Sequence, residues 1–100
     1  MRKTIIHTPY LGLVVGTLTS DLAQDNGIPV NLEGAYVDRI MQNGPADEAG
    51  IHGSTTDQYL KKHLGHVIIA VDGYNINKSD DVINYIGQHN SREQHYFNCI

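Results

Sequence analysis

The chain has a single cysteine, Cys99, so it can form no intrachain disulfide. The apolar, strand-like setting of Cys99 near the C-terminus points to a buried thiol rather than a reactive one. No apolar run approaches the ~20 residues that a membrane-spanning helix needs. Arg2-Lys3 is not followed by the apolar stretch of ~7–15 residues that marks a secretory leader, so none is expected. Positive charge is also scarce. Seven Lys and Arg stand against eleven Asp and Glu, for a net charge of −4 with His neutral. A basic set this small and scattered offers no phosphate-binding face, so nucleic acid is not an expected partner. Gly-x-Ser-x-Gly is absent, as are a Cys pair and a His-Glu-x-x-His helix, which removes the usual outlines of a serine hydrolase and of a zinc site. Ser20, Ser54, Ser79 and Ser91 each have a cap, turn or loop as a sufficient explanation.

What remains is ordinary globular material. One hundred residues suit one small domain, and 40% hydrophobic against 18% charged residues is enough apolar content for one core. Leu11–Leu18 is rich in Leu, Val and Thr and reads as a strand, followed by a helix start at Thr19-Ser20-Asp21 and a stop at Gly27. Residues 34–41 read as a second strand. Gly44-Pro45 opens a very short helix, with Pro45 where its missing amide costs nothing, and Gly50 closes it. Residues 52–65 show no period and read as a long loop or a poorly paired hairpin. Val67–Val71 is apolar throughout, as in a strand buried on both faces, and Asp72-Gly73 turns the chain into a short return strand at 74–76. Ser79–Gln88 is the clearest helix, with Ser79 as its expected cap, Asp80-Asp81 at its positive end and an apolar stripe of Val82, Ile83 and Ile86. Residues 96–100 form a closing strand. The expected class is α+β, mostly β: a partly open barrel or sandwich of five to six strands with two helices and one short helical turn.

Four segments, in order, carry a family resemblance: Tyr10-Leu11-Gly12-Leu13, then Gly44-Pro45-Ala46-Asp47-Glu48-Ala49-Gly50-Ile51, then Val67-Ile68-Ile69-Ala70-Val71-Asp72-Gly73, then the helix opened by Ser79. Together they resemble a PDZ domain of the permuted kind carried by HtrA/Deg-type serine proteases. The long segment between Gly50 and Val67 is similar to that of prokaryotic, especially archaeal, members. The resemblance spans residues 10–100, leaving 1–9 as a lead-in. Two departures stand out: Gly44 where the family has Ser, and Gly65-His66 where it has Gly-Asp.

The resemblance implies a module that binds peptides and breaks no bonds. The parent chain would be a serine endopeptidase, whose Gly-Asn-Ser-Gly-Gly signature is absent here. Leu11, Gly12 and Leu13 would turn their amides toward a peptide's terminal carboxylate, and glycine would let those amides converge. Groove and pocket would be lined by Leu11, Leu13, Val15, Ser79, Val82, Ile83 and Ile86, with Ser79 beside the residue third from the peptide's end. Val82 is the ambiguous member of that set, able to face the groove or the core. The partners implied are unfolded or C-terminal peptide segments with apolar ends, and the protease domain of the parent. Membrane contact by this chain, a cofactor and a metal are not expected. The domain alone should be soluble; the parent's location, membrane-anchored or extracytoplasmic, stays open. An interaction scaffold with no protease attached is the alternative.

The six histidines raise a third reading, a small metal-dependent enzyme. His63-x-x-His66 could present two imidazoles on one helical turn, but zinc usually takes a third and fourth ligand. Solvated loop histidines are expected instead, with His89 placed to interact with its helix's C-terminal dipole.

Overall fold

The computed structural model describes residues 2–6 by their backbone, and 12–89 and 94–100 in full. Along them the chain forms β1 (Arg2–Ile6), β2 (Leu13–Thr17), α1 (Ser20–Asp25), β3 (Ala35–Ile40), the one-turn α2 (Pro45–Glu48), β4 (Thr55–Thr56), β5 (Lys62–His63), β6 (Val67–Val71), β7 (Tyr74–Asn75), α3 (Ser79–Gln88) and β8 (His95–Cys99).

Local chemistry sets the ends of these elements. Thr19 caps α1, its side chain accepting from the Leu22 amide at 3.2 Å, and Gly27 follows in the left-handed region. Gly44 precedes Pro45 at the start of α2, and Gly50 ends that turn at φ +85°. The cap of α3 differs from expectation. The extended residue before the helix is Lys78, and Ser79 is already helical. The free amides of Asn77 and Lys78 are taken up from inside the helix by the Asp81 carboxylate, at 2.8 and 3.2 Å. That carboxylate ties the chain just before the helix to its first turn, while the first helical amide, that of Ser79, is taken by the Thr17 hydroxyl.

The main sheet runs β1-β8-β6-β3-β2, with β7 paired to β6, and every pairing is antiparallel. β6 lies at its centre, which is why Val67–Val71 carries no polar residue. Ile68 and Val71 enter the larger core beneath α3, whereas Val67 joins Leu18 and Ala23 beneath α1. Each helix contributes one fully buried side chain, Ala23 from α1, Ala46 from α2 and Val82 from α3. Burial of β8 alternates, with His95, Phe97 and Cys99 inward, so the lone thiol is buried.

The mostly-β α+β class stands. Residues 2–6, set apart in the sequence as lead-in, form β1 and pair with β8 residue for residue from Arg2↔Cys99 to Ile6↔His95. The chain's first strand therefore flanks its last one. This corrects the permuted order implied by the resemblance, because the edge beside β8 is filled from the chain's own start. The 52–65 segment is the short hairpin β4–β5. Its turn is organised by Asp57, whose carboxylate accepts the amides of Tyr59 and Lys61 and pairs with His63. Those bonds, the His63 contact foremost, hold the Asp57 carboxyl below its ordinary range.

Candidate peptide groove

β2 is the last strand of the sheet, so one row of its backbone groups has no neighbouring strand among the described residues. α3 lies beside it. At ~100° per residue, Ser79 and Ile86 sit within about 20° of one another on the helix, and Ile83 within about 60° of Ile86. That stripe faces β2, as a contact at its first residue shows: the Thr17 hydroxyl donates to Ser79 Oγ at 3.1 Å and accepts the Ser79 amide at 3.0 Å. Further along, Leu13 and Val15 of β2 and Ile86 of α3 are half-buried against the same core. Ile83 remains 62% exposed, too much for a residue whose only duty is the core. Val82 is 2% exposed and belongs to the core, so it is withdrawn from the groove wall. Its position on the stripe is shared with the buried face, and burial of the central apolar residue won.

At the other end of β2, Gly12 adopts φ +66°, where a side chain is strained. Its carbonyl accepts the Met41 amide at 2.8 Å, and an added Cβ would lie 3.3 Å from Pro45 Cδ and 3.4 Å from Met41 Cβ. The turn at Gly44-Pro45 is thus the seat on which the start of β2 rests. Tyr10 and Leu11, the remaining members of the carboxylate loop and pocket named from sequence, lie outside the described residues.

The other side of α3 carries a polar cluster that the sequence did not disclose. Asp72, at φ +52° in the β6–β7 turn, accepts from the Tyr96 amide at 2.7 Å and the Tyr85 hydroxyl at 3.0 Å, and its Oδ2 lies 2.7 Å from His95 Nδ1. The Asp72 side chain is 4% exposed and that of His95 is 0% exposed. Burial alone would push the Asp72 carboxyl up. The hydrogen bonds from Tyr96, His95 and Tyr85 outweigh it and hold the carboxyl below its ordinary value. Among the described residues, His95 Nε2 has no hydrogen-bond partner. The available signal was the strict alternation in 95–99, which puts His95 on the face of Phe97 and Cys99.

His7 lies outside the described residues, and among those described the remaining histidines form no single cluster. His63 pairs with Asp57, His89 Nδ1 lies 2.9 Å from the Tyr85 carbonyl, and His52 stacks on His66 at 5.3 Å. His66 Nδ1 accepts the His52 amide at 2.9 Å. That bond joins the two ends of the segment that carries β4 and β5. Among the described residues, no three His, Cys, Asp or Glu are grouped to hold a metal ion.

No protein-family model matches the sequence, and no curated protein does either. Among solved structures, the chain is similar to the crystal structure of wild-type TIP-1, a PDZ domain protein. The match covers 96% of this chain and 82% of that one, with a TM-score of 0.59 and 22% identity. At that identity the likeness establishes a PDZ-like fold.

Proposed function

We propose that this chain is a peptide-binding module that takes an extended segment as an added strand, antiparallel to β2 and walled by α3. The observation that carries this reading is the pairing of an unpaired sheet edge, Leu13–Thr17, with a helix that keeps Ile83 exposed beside it. Amides of Leu11, Gly12 and Leu13 receive the peptide's terminal carboxylate, which the left-handed Gly12 supports. Leu11, Leu13, Ile83 and Ile86 receive an apolar last side chain, Val15 lies along the strand, and Ser79 stands beside the residue third from the end. The chain catalyses nothing itself. Affinity is on the order of micromolar, since one short strand and one pocket must offset the ordering of the ligand. Titrating a peptide that ends in Val or Leu against its C-terminally amidated form tests the carboxylate loop. Weaker binding of the amide is expected; equal binding would remove the loop from the site.

The motif order in 44–51 and 67–76 supports a parent serine endopeptidase of the HtrA/Deg type, prokaryotic, in which this module recruits substrate or regulates the protease domain. The alternative is an interaction module with no protease attached. The parent reading frame decides between them: a His…Asp…Ser protease domain in it supports the first, and its lack the second.

A further inference from the structure

Helix α3 is tied down at two places that differ in height and side. Near its N-terminus, on the groove side, Ser79 is bonded to Thr17. One turn and a half further on, the Tyr85 hydroxyl reaches Asp72, on the flank turned away from β2. Tyr85 and Ile86 are adjacent, about 100° apart around the helix. The roll of the helix that satisfies the Tyr85–Asp72 bond therefore also sets how far Ile86 leans toward Leu13. The anchor is rigid. Asp72 is fixed by the Tyr96 amide and by His95, and the Tyr85 ring is stacked between Tyr74 at 5.3 Å and His89 at 4.2 Å, with His95 edge-on at 6.2 Å.

This anchor is costly. It buries an ionisable pair and leaves His95 Nε2 without a partner among the described residues, where apolar side chains of similar volume would commonly be as stable or more so. A buried polar network of this kind fixes one arrangement among several packings of similar energy.

We propose that Tyr85, held by the Asp72–His95 pair, is a positioning residue for the peptide groove: it sets the width of the pocket for the terminal side chain, while the Thr17–Ser79 contact fixes the other end independently. The proposal rests on the peptide-groove reading above and adds to it the determinant of size selectivity at one peptide position. Without the Tyr85 tether, the C-terminal half of α3 rolls about its Ser79 end and Ile86 shifts, while the surroundings of Ser79 do not.

The test uses the whole chain with Tyr85→Phe, which keeps the stacked ring and removes only the hydroxyl. A second variant, Asp72→Asn, suits the left-handed turn, since asparagine tolerates that conformation. Peptides ending in Val, Leu and Phe, and a matched set varied at the residue third from the end, are titrated against each protein. In both variants the ratio of affinities among the three terminal residues should change by about threefold or more, the lower end of what one ordinary lost hydrogen bond is worth. The effect of substitutions third from the end should be unchanged. A uniform loss across all peptides, or no change, overturns the proposal and leaves the groove reading standing. Should the unaltered protein bind none of these peptides, the groove reading fails, and amide exchange still decides the tether. Faster exchange in Tyr85→Phe confined to residues 85–88 supports it, whereas exchange raised evenly along α3, or nowhere, overturns it.

Discussion

The side-chain oxygen of Thr17 accepts the Ser79 amide at 3.0 Å and lies 3.1 Å from the Ser79 hydroxyl, so the edge strand and the groove helix are joined at one end. Two hydroxyls share one proton between them and keep one O–H to offer elsewhere. A peptide side chain arriving here meets a pair already satisfied in part, which favours weak discrimination third from the peptide's end.

Thr17→Val keeps the branched shape and removes the hydroxyl, which unpairs the Ser79 amide. The contact is solvent-accessible, so the expected cost is about 0.5–1.5 kcal/mol. It should appear as a lower urea midpoint with unchanged slope. No shift would mean that water replaces the threonine without penalty.

Gly12→Val should abolish binding of free C-terminal peptides while the rest of the sheet stays folded. The left-handed φ and the nearness of Pro45 and Met41 leave a branched side chain no unstrained place. Circular dichroism establishes folding and a peptide titration reads the loss. A folded variant that binds like the parent removes Gly12 from the carboxylate site.

Val82 and Ile83 are neighbours with opposite duties. Val82→Ala should cost about 1–3 kcal/mol of stability through lost burial. Ile83→Ala should leave stability within about 0.5 kcal/mol, as for an exposed position, and weaken peptide binding. Denaturant midpoints and titrations on both variants separate the roles; the reverse pattern would put the helix register in error.

Asp72 gives the fold a stability that depends on acid. Its carboxyl is held below the ordinary value in the folded state, so its contribution is complete above the unfolded value of about 3.9 and is lost as pH falls through the folded one. The stability gap between the unaltered protein and Asp72→Asn should therefore shrink as pH falls below about 4. Thermal melting across that range reads it; a gap that widens in acid contradicts the sign.

Much of the fold was legible because single residues act locally. Thr19, Pro45, Gly50 and the apolar run of β6 announce their elements, and α3 has the bounds that its stripe and acidic first turn indicate. β1 was not legible: an edge strand is defined by its partner, here 89 positions away at Ile6↔His95 and 97 at Arg2↔Cys99. The same holds for the groove. Positive φ was readable from Gly12, but Ser79's partner is Thr17, 62 positions away, and no spacing rule links them. Asp72 read as a turn former, which it is. That its carboxylate also gathers Tyr85, Tyr96 and His95 depends on three elements meeting in space.

The central claim is that an extended peptide adds to β2 beside α3. Amide resonances followed by NMR during titration with a short peptide ending in Leu test it directly. The account requires the largest shifts and new exchange protection at residues 12–17, with accompanying shifts at 79, 83 and 86, and little change along β1. Perturbation centred on β1, or on the 57–60 turn with β2 untouched, would contradict it.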